Sequence, residues 1–232
     1  MRTDTSVREA NEPVTLTLNQ ARWVYDRIAR VYDWQSFYED ATIDRLVANA
    51  AVAADQTIFE FGCGTGRLAA RLLRELPASV NYLGVDLSPV MIKLATGRLS
   101  AWAARAQAVL VDGSLPLPAD DGSADRVLST FVFDLLDADY ARAVLDDLHR
   151  VLAPGGRLCL ASLSHGDGPL ERVVSASWTG LWRVAPLLVG GCRPITVKTM
   201  LGDDWQIQHH SRIHRWGLVT DVVIAASSPR PQ

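Results

Sequence analysis

Thr57-Ile-Phe-Glu-Phe-Gly-Cys-Gly-Thr-Gly-Arg67 joins a short apolar run to three alternating glycines. Glycine has no Cβ, so it lets the backbone turn sharply and pass close to a bound ligand. The next apolar run ends on an acidic residue, Asp86. Together these features predict a ligand-binding turn between a strand and a helix of an α/β domain.

The spacing of the glycines limits which ligand the turn binds, although glycines alone also occur in purely structural turns. A dinucleotide-binding turn follows the pattern G-x-G-x-x-G/A, and its third small residue lets the helix pack closely on the strand. Counted from Gly62, that position holds Arg67. A bulky cation there disfavours a pyrophosphate-binding turn, and the sequence contains no G-x-x-x-x-G-K-S/T pattern of nucleoside triphosphatases.

Length and composition fit one α/β domain with additions. The 232 residues carry a net charge of −3, which disfavours a nucleic-acid substrate. The cysteines, Cys63, Cys159 and Cys192, lack the spacing of zinc ligands or of a disulfide framework. The N-terminus is polar, and the apolar run around 184–191 is far shorter than the roughly 20 residues of a membrane span. We therefore expect a cytoplasmic protein that has no metal site and no transmembrane helix.

The middle of the chain alternates between strand and helix patterns, which predicts a parallel, doubly wound sheet. Ser88-Pro89 is a helix start, and Pro154-Gly-Gly156 stops the helix before it. The predicted strands are 57–61, 80–85, 107–111, 125–131 and 157–163, and the predicted helices are 66–76, 89–102 and 139–152.

Both ends of the chain add elements to this sheet. Apolar residues at helical spacing in 21–33 and from Ile43 to Ala51 predict two capping helices. Strands at 205–213 and 218–226, joined by a short turn, must be antiparallel neighbours. We predict a Rossmann-like, mostly parallel seven-stranded sheet with an antiparallel C-terminal hairpin strand. Residues 1–54 form a helical cap, and residues 55–232 form the domain, with an insertion at about 166–203.

Five motifs over residues 57–162 resemble those of the class I S-adenosylmethionine-dependent methyltransferases. They are Glu60-Phe-Gly-Cys-Gly-Thr-Gly66, Val85-Asp-Leu-Ser-Pro-Val-Met91, Leu110-Val-Asp-Gly113, Val127-Leu-Ser-Thr-Phe131 and Leu148-His-Arg-Val-Leu-Ala-Pro-Gly-Gly-Arg-Leu-Cys159. The resemblance implies S-adenosylmethionine as cofactor and S-adenosylhomocysteine as product. It further implies that Asp86 binds the ribose hydroxyls, Asp112 the adenine amino group and Glu60 the methionine amino end.

The predicted cofactor contacts are Tyr25, Glu60, Gly62, Cys63, Gly64, Gly66, Asp86, Leu87, Met91, Asp112, Gly113, Thr130 and Phe131. Cys63 is expected to serve as a small residue rather than as a nucleophile. Tyr25 comes from 25–33, a segment that resembles the N-terminal helix of ubiquinone/menaquinone-biosynthesis-type and related lipid and small-molecule methyltransferases. Core packing of Tyr25 and Tyr32 is an equal alternative. After Tyr32-Asp33-Trp34, the sequence Gln35-Ser-Phe-Tyr-Glu-Asp40 lacks the polar signature expected of a true quinone-biosynthesis enzyme.

The acceptor is expected beyond the fourth and fifth strands, because ligands of open α/β sheets bind at the carboxyl ends of strands. Phe131, Asp134 and His165 lie in those loops. His165 is the candidate general base, with an inert, exposed loop histidine as the alternative. Trp178 and Trp182 either roof an acceptor pocket or pack a helix onto the sheet.

The sequence therefore favours a methyltransferase acting on a small-molecule or lipid-like acceptor. One alternative is a non-catalytic S-adenosylmethionine-binding sensor or partner subunit. A nicotinamide-dependent oxidoreductase is the other, disfavoured by Arg67. An acceptor in DNA or RNA is not expected, because the chain has no Asn/Asp-Pro-Pro-Tyr run. The oligomeric state stays open.

Overall fold

A computed structural model describes residues 36–228 except 186–188 and 190, and within them seven strands form one sheet with helices on both faces. The strands are β1 (Thr57–Phe61), β2 (Asn81–Asp86), β3 (Ala106–Leu110), β4 (Ala124–Thr130), β5 (Leu152–Ser164), β6 (Trp205–Arg215) and β7 (Leu218–Ser227). The helices are α1 (Ser36–Ala50), α2 (Arg67–Glu75), α3 (Pro89–Leu99), α4 (Ala138–Val151), α5 (Pro169–Val184) and α6 (Val197–Met200).

The strand order is β3-β2-β1-β4-β5-β7-β6. Strands β1 to β5 run parallel, whereas β7 lies antiparallel between β5 and β6. Successive strands are added on one side of β1 up to β3 and on its other side from β4 onward. The carboxyl ends of β1 and β4 therefore border the crevice where open α/β sheets bind ligands. The predicted fold class is confirmed.

Alternating side chains give the sheet two apolar faces. Ile58 and Leu128 pack with α1, α2 and α3 on one face. Phe59 and Val127 pack with α4 and α6 on the other. Because side chains alternate along a strand, one apolar strand supplies both layers of the core.

Helix α1 belongs to the same core as the sheet. Leu46 is fully buried with α2 and α3, and the hydroxyls of Thr42 and Thr220 are 2.6 Å apart. Arg126 Nε donates to the carbonyl of Ala50 at 2.6 Å. The cap therefore packs against the domain it precedes. The helix predicted at 21–33 lies outside the described residues, and the boundary at residue 54 stays a prediction.

The element boundaries agree with the sequence within two residues except at α1, α3 and β5; α1 begins at Ser36, seven residues before Ile43. Strand β5 begins at Leu152 rather than at 157, because Ala124 pairs with Leu152 and an irregularity follows before Arg126 pairs with Arg157. Helix α4 ends before Pro154-Gly-Gly156, as expected. The segment itself is part of strand β5 rather than a turn between the two elements. Helix α3 ends at Leu99, and Ser100–Trp102 form a short 3₁₀ turn.

Candidate functional site

The main cavity opens at the carboxyl ends of β1, β2 and β4, and α1 supplies part of its wall. It encloses about 1240 Å³, including the part open to solvent. Its wall combines the glycine loop, the end of β2 and the loop after β4. The lining residues are Glu39, Ile43, Glu60, Phe61, Gly62, Cys63, Gly64, Thr65, Arg67, Leu68, Val85, Asp86, Leu87, Ser88, Met91, Val111, Thr130, Phe131, Val132, Leu135, Leu136, Asp137 and Tyr140.

Two glycines of the loop are required by close packing. Gly62 has φ +77°, and a Cβ there would lie 2.3 Å from Cγ2 of Val132. Gly66 has φ +71°, and a Cβ would lie 3.0 Å from the Cα of Ala95 in α3. L-residues with a Cβ rarely adopt these left-handed conformations. Gly66 does not line the cavity. It contributes to the loop by allowing close packing against α3.

Asp86 is fixed at the cavity edge by two backbone amides. Its Oδ2 accepts from the amide of Gly64 at 2.9 Å, and its Oδ1 accepts from the amide of Ser88 at 2.9 Å. A carboxylate oxygen has two lone pairs. A carboxylate oxygen that accepts from an amide can therefore also accept from a ligand hydroxyl.

Glu60 is buried beneath the loop, with 1% of its surface exposed. Its Oε2 accepts from the hydroxyl of Tyr82 at 2.6 Å. Burial raises the pKa of Glu60 to about 8; the hydrogen bond from Tyr82 opposes this shift and the charge of Asp86 adds to it. Without a ligand, Glu60 is therefore largely protonated at neutral pH. A cationic ligand group nearby would favour its charged form.

Cys63 lines the cavity, as Glu60 does, and interacts with both Glu60 and Tyr82. Burial raises the pKa of its thiol far above the usual range, and the charges of Glu60 and Asp86 add to the effect. A thiol that does not ionise is a poor nucleophile. The interpretation of Cys63 as a small packing residue is therefore favoured.

The loop after β4 forms the opposite wall. Phe131 has φ +55°, is 3% exposed and donates its amide to the carbonyl of Ala161 at 2.8 Å. A bulky residue in the left-handed region is uncommon and often marks a functional site. Asp137 caps α4 by accepting from the amide of Tyr140 at 2.8 Å. Glu39, Ile43, Asp137 and Tyr140 are cavity residues that sequence reasoning missed; only Asp137, as a helix cap, had a local pattern.

The structure gathers most of the predicted cofactor contacts and leaves three off the cavity wall. Glu60, Gly62, Cys63, Gly64, Asp86, Leu87, Met91, Thr130 and Phe131 line the cavity, whereas Gly66, Asp112 and Gly113 do not. Asp112 is exposed, and hydrogen bonds from Ser114 lower its pKa. Gly113 accepts from the hydroxyl of Tyr140, a cavity residue, at 2.8 Å. Tyr25 lies outside the described residues.

The predicted base, His165, is in a different place. It is exposed and lines a shallow cleft against α5 with Arg172 and Arg183. Asp134 is fully buried, accepts from the amide of Leu163 at 3.3 Å and does not line the main cavity. Neither residue lines the main cavity, so the prediction of His165 as the base gains no support from the structure.

The two tryptophans of the insertion pack inward. Trp182 is 4% exposed and donates to the carbonyl of Gly191 at 2.8 Å. Trp178 donates to the carbonyl of Cys192 at 2.9 Å. Neither lines the main cavity. The packing interpretation is favoured over a pocket roof.

Within the described residues, no group of three or more His, Cys, Asp or Glu side chains could hold a metal ion. In the same part of the chain, no helix combines the length and apolar character needed to cross a membrane.

Residues 58–156 match the model of a family described as a methyltransferase domain. A demethylmenaquinone methyltransferase of Tropheryma whipplei is 34% identical over 154 residues, which cover 63% of this chain and 60% of that protein. The chain spans about three fifths of the length of the first curated relatives.

Solved structures share the fold at low identity. The [4+2]-cyclase SpnF has a TM-score of 0.70 at 15% identity, with 91% of this chain and 97% of that one covered. The N-methyltransferase NodS from Bradyrhizobium japonicum, in complex with S-adenosylhomocysteine, has a TM-score of 0.68 at 16% identity, with 90% and 99% covered. The motifs, the matching domain model and the relatives make this chain similar to class I S-adenosylmethionine-dependent methyltransferases, including those of quinone biosynthesis.

Proposed function

We propose that the chain binds S-adenosylmethionine in the main cavity and transfers its methyl group to a small-molecule or lipid-like acceptor. The observation that carries this proposal is the convergence of Asp86, Glu60 and the glycine loop on one cavity. The NodS structure, which contains S-adenosylhomocysteine, supports the choice of cofactor, and the demethylmenaquinone methyltransferases support a small-molecule acceptor.

The cavity residues fit the chemical groups of this cofactor. Asp86 presents carboxylate oxygens to the ribose hydroxyls. The buried Glu60 suits an ammonium group, because that positive charge would lower the pKa of the carboxyl and favour release of its proton to solvent. Leu87 and Met91 offer apolar surface next to Asp86 for the adenine ring. When bound, the cofactor supplies an electrophilic methyl group on a sulfonium.

The remaining task of the protein is to align an acceptor and to exclude water. Phe131 and Leu135 line the cavity on the β4 side, where an acceptor would meet the methyl group. A base is needed only if the acceptor must lose a proton. Asp137 lines the cavity and His165 does not, so Asp137 is the better supported candidate. A cytoplasmic location and a non-nucleic-acid acceptor complete the proposal; the net charge of −3 supports the second of these.

A nicotinamide-dependent oxidoreductase is less compatible with this architecture. Its dinucleotide-binding sheet has the order 3-2-1-4-5-6, whereas here an antiparallel β7 lies between β5 and β6. Arg67, at the position of the third small residue, pairs with Asp40 of α1. A non-catalytic S-adenosylmethionine-binding protein would use the same cavity, and turnover distinguishes it.

Isothermal titration calorimetry with S-adenosylmethionine and S-adenosylhomocysteine tests the proposal. Asp86→Ala should weaken binding by about 100-fold, since charged hydrogen bonds are worth roughly 1.5–3 kcal/mol each. Asp203→Ala, an exposed acidic residue before β6, is the matched control and should bind like the wild type. Absence of binding to folded wild-type protein would contradict the proposal. Formation of S-adenosylhomocysteine with naphthoquinol and other small acceptors then separates an enzyme from a non-catalytic binder.

A further inference from the structure

Helix α5 presents an apolar stripe to solvent. Leu170, Val173, Leu181 and Val184 are 71%, 63%, 42% and 86% exposed. Val173, Leu181 and Val184 follow Leu170 by 3, 11 and 14 residues, which places all four on one side of the helix. The buried side of the same helix carries Trp182, so the stripe is not the face that packs on the domain.

The turn between β6 and β7 extends this stripe. Trp216 is 77% exposed there. The next residue, Gly217, packs so closely on α5 that a Cβ would lie 3.0 Å from Cγ2 of Val174. Nδ1 of His214 lies 2.7 Å from Oε1 of Glu171 at the start of α5. We call Leu170, Val173, Leu181, Val184 and Trp216 the α5 patch.

The α5 patch concentrates the exposed apolar surface of the described chain. Only two other large apolar side chains in that part are exposed, Leu94 and Leu110, and they lie on α3 and β3. Single exposed apolar residues are normal, whereas a contiguous group marks a surface that binds something.

Positive charge borders the α5 patch. Arg172 and Arg183, 11 residues apart on α5, share a neighbouring side of the helix and line the shallow cleft. Arg215 precedes Trp216 and is exposed. None of these three arginines forms a salt bridge within the described residues. The neighbouring acidic residues are engaged, Glu171 with His214 and Asp167 with Arg212.

We propose that the α5 patch docks onto the surface of an anionic lipid bilayer, with its apolar side chains at the acyl boundary and the arginines among the headgroups. A helix with an apolar side beside a basic side is typical of interfacial binding, and tryptophan favours the same interface. The charge is local, since the whole chain carries −3. Docking does not depend on methyl transfer and can be tested without it.

Docking would bring the cavity towards the membrane. Trp178 of α5 packs in one apolar cluster with Leu163 and Phe131, and Phe131 lines the main cavity. A lipid-like acceptor could then reach the cavity from the bilayer side. This consequence, unlike the docking itself, rests on the proposed function.

Flotation with vesicles tests the docking. The full chain should float with vesicles of phosphatidylcholine and phosphatidylglycerol (3:1), and much less with phosphatidylcholine alone or in 0.5 M salt. Leu170→Glu/Val184→Glu should weaken binding at least about tenfold, since burial of one such side chain is worth about one order of magnitude. Leu94→Glu, the same exchange on the solvent side of α3, should leave it unchanged. Arg172→Glu/Arg183→Glu should abolish the preference for phosphatidylglycerol.

Three results would overturn the proposal. The first is a failure of the folded wild-type protein to float with any vesicle. The second is equal loss with Leu94→Glu, which would indicate a general effect of the added charge. The third is a wild-type dimer that Leu170→Glu/Val184→Glu converts to monomers in sedimentation, since the α5 patch would then be covered by a second copy. Thermal melts of each variant exclude unfolding as the cause of any loss.

Discussion

The glycine loop (62–67) and the C-terminal hairpin (β6 and β7) are stabilised by different kinds of hydrogen bond. In the loop, the donors are backbone amides: Gly62 and Cys63 both donate to the carbonyl of Val85 at 2.9 Å. In the hairpin, the bonds join side chains: Asp221, 2% exposed, accepts from the hydroxyl of Ser164 at 2.8 Å and from Nε of Arg212 at 3.1 Å.

The difference shows why one region is recognisable in the sequence and the other is not. A loop built from amides needs glycine at fixed positions, because a Cβ has no room. A network of side chains needs only that complementary groups meet, and the residues involved lie up to 57 positions apart. The loop therefore leaves a short pattern, and the network leaves none.

The largest effect is expected from a Cβ in the loop. Gly62→Ala should destabilise the protein by about 2–4 kcal/mol, because left-handed strain adds to overlap with Val132, and should abolish cofactor binding. Gly97→Ala is the control: Gly97 lies in α3 with no atom within 4 Å of a Cβ, and alanine there should stabilise by about 0.5–1 kcal/mol. Urea melts measure both. Equal stability of the two variants would break the argument that the loop excludes side chains.

In the hairpin network, the stability lost on removing a carboxylate should depend on how deeply that carboxylate is buried, and not only on whether it pairs with Arg212. Asp221→Ala should cost about 2–3 kcal/mol, because it strips a buried partner from Arg212 and Ser164. Asp167→Ala removes a 61% exposed partner of the same arginine and should cost under about 1 kcal/mol. Thermal melts with calorimetry give both values. Equal costs would mean that burial of Asp221 does not set the strength of the network.

A pH-dependent effect is expected from Asp134, which is fully buried. Burial raises its pKa from about 3.8 to about 7. Its stabilising contribution is complete below about pH 4, where folded and unfolded carboxyls are both protonated. Between about pH 4 and 7 only the unfolded carboxyl ionises, so the free energy of unfolding should fall by up to about 1.4 kcal/mol per pH unit.

Asp134→Asn should lose this slope. Urea melts of wild type and Asp134→Asn from pH 4.5 to 8 measure it as the difference between the two, which removes the similar contribution of Glu60. Parallel curves for the two proteins would contradict the raised pKa.

Sequence patterns predicted the parallel strands, the glycine loop and Asp86, because each depends on residues close together in the chain. They did not decide whether the side chains of Trp182 and His165 face the cavity. Whether Trp182 faces a pocket or the core depends on its bond to Gly191, and whether His165 faces the cavity depends on how α5 packs beyond β5. Neither is a local property.

The sequence by itself determined the fold class, the resemblance to methyltransferases and the residues at the cavity edge, since strand alternation, helix caps and glycine conformation act over a few residues. Only the tertiary structure decided which residues share a wall. It brought Glu39 of α1 to the cavity, moved His165 into a separate cleft and gathered Trp216 beside α5. Those outcomes follow from the packing of elements far apart in the chain, which no short pattern encodes.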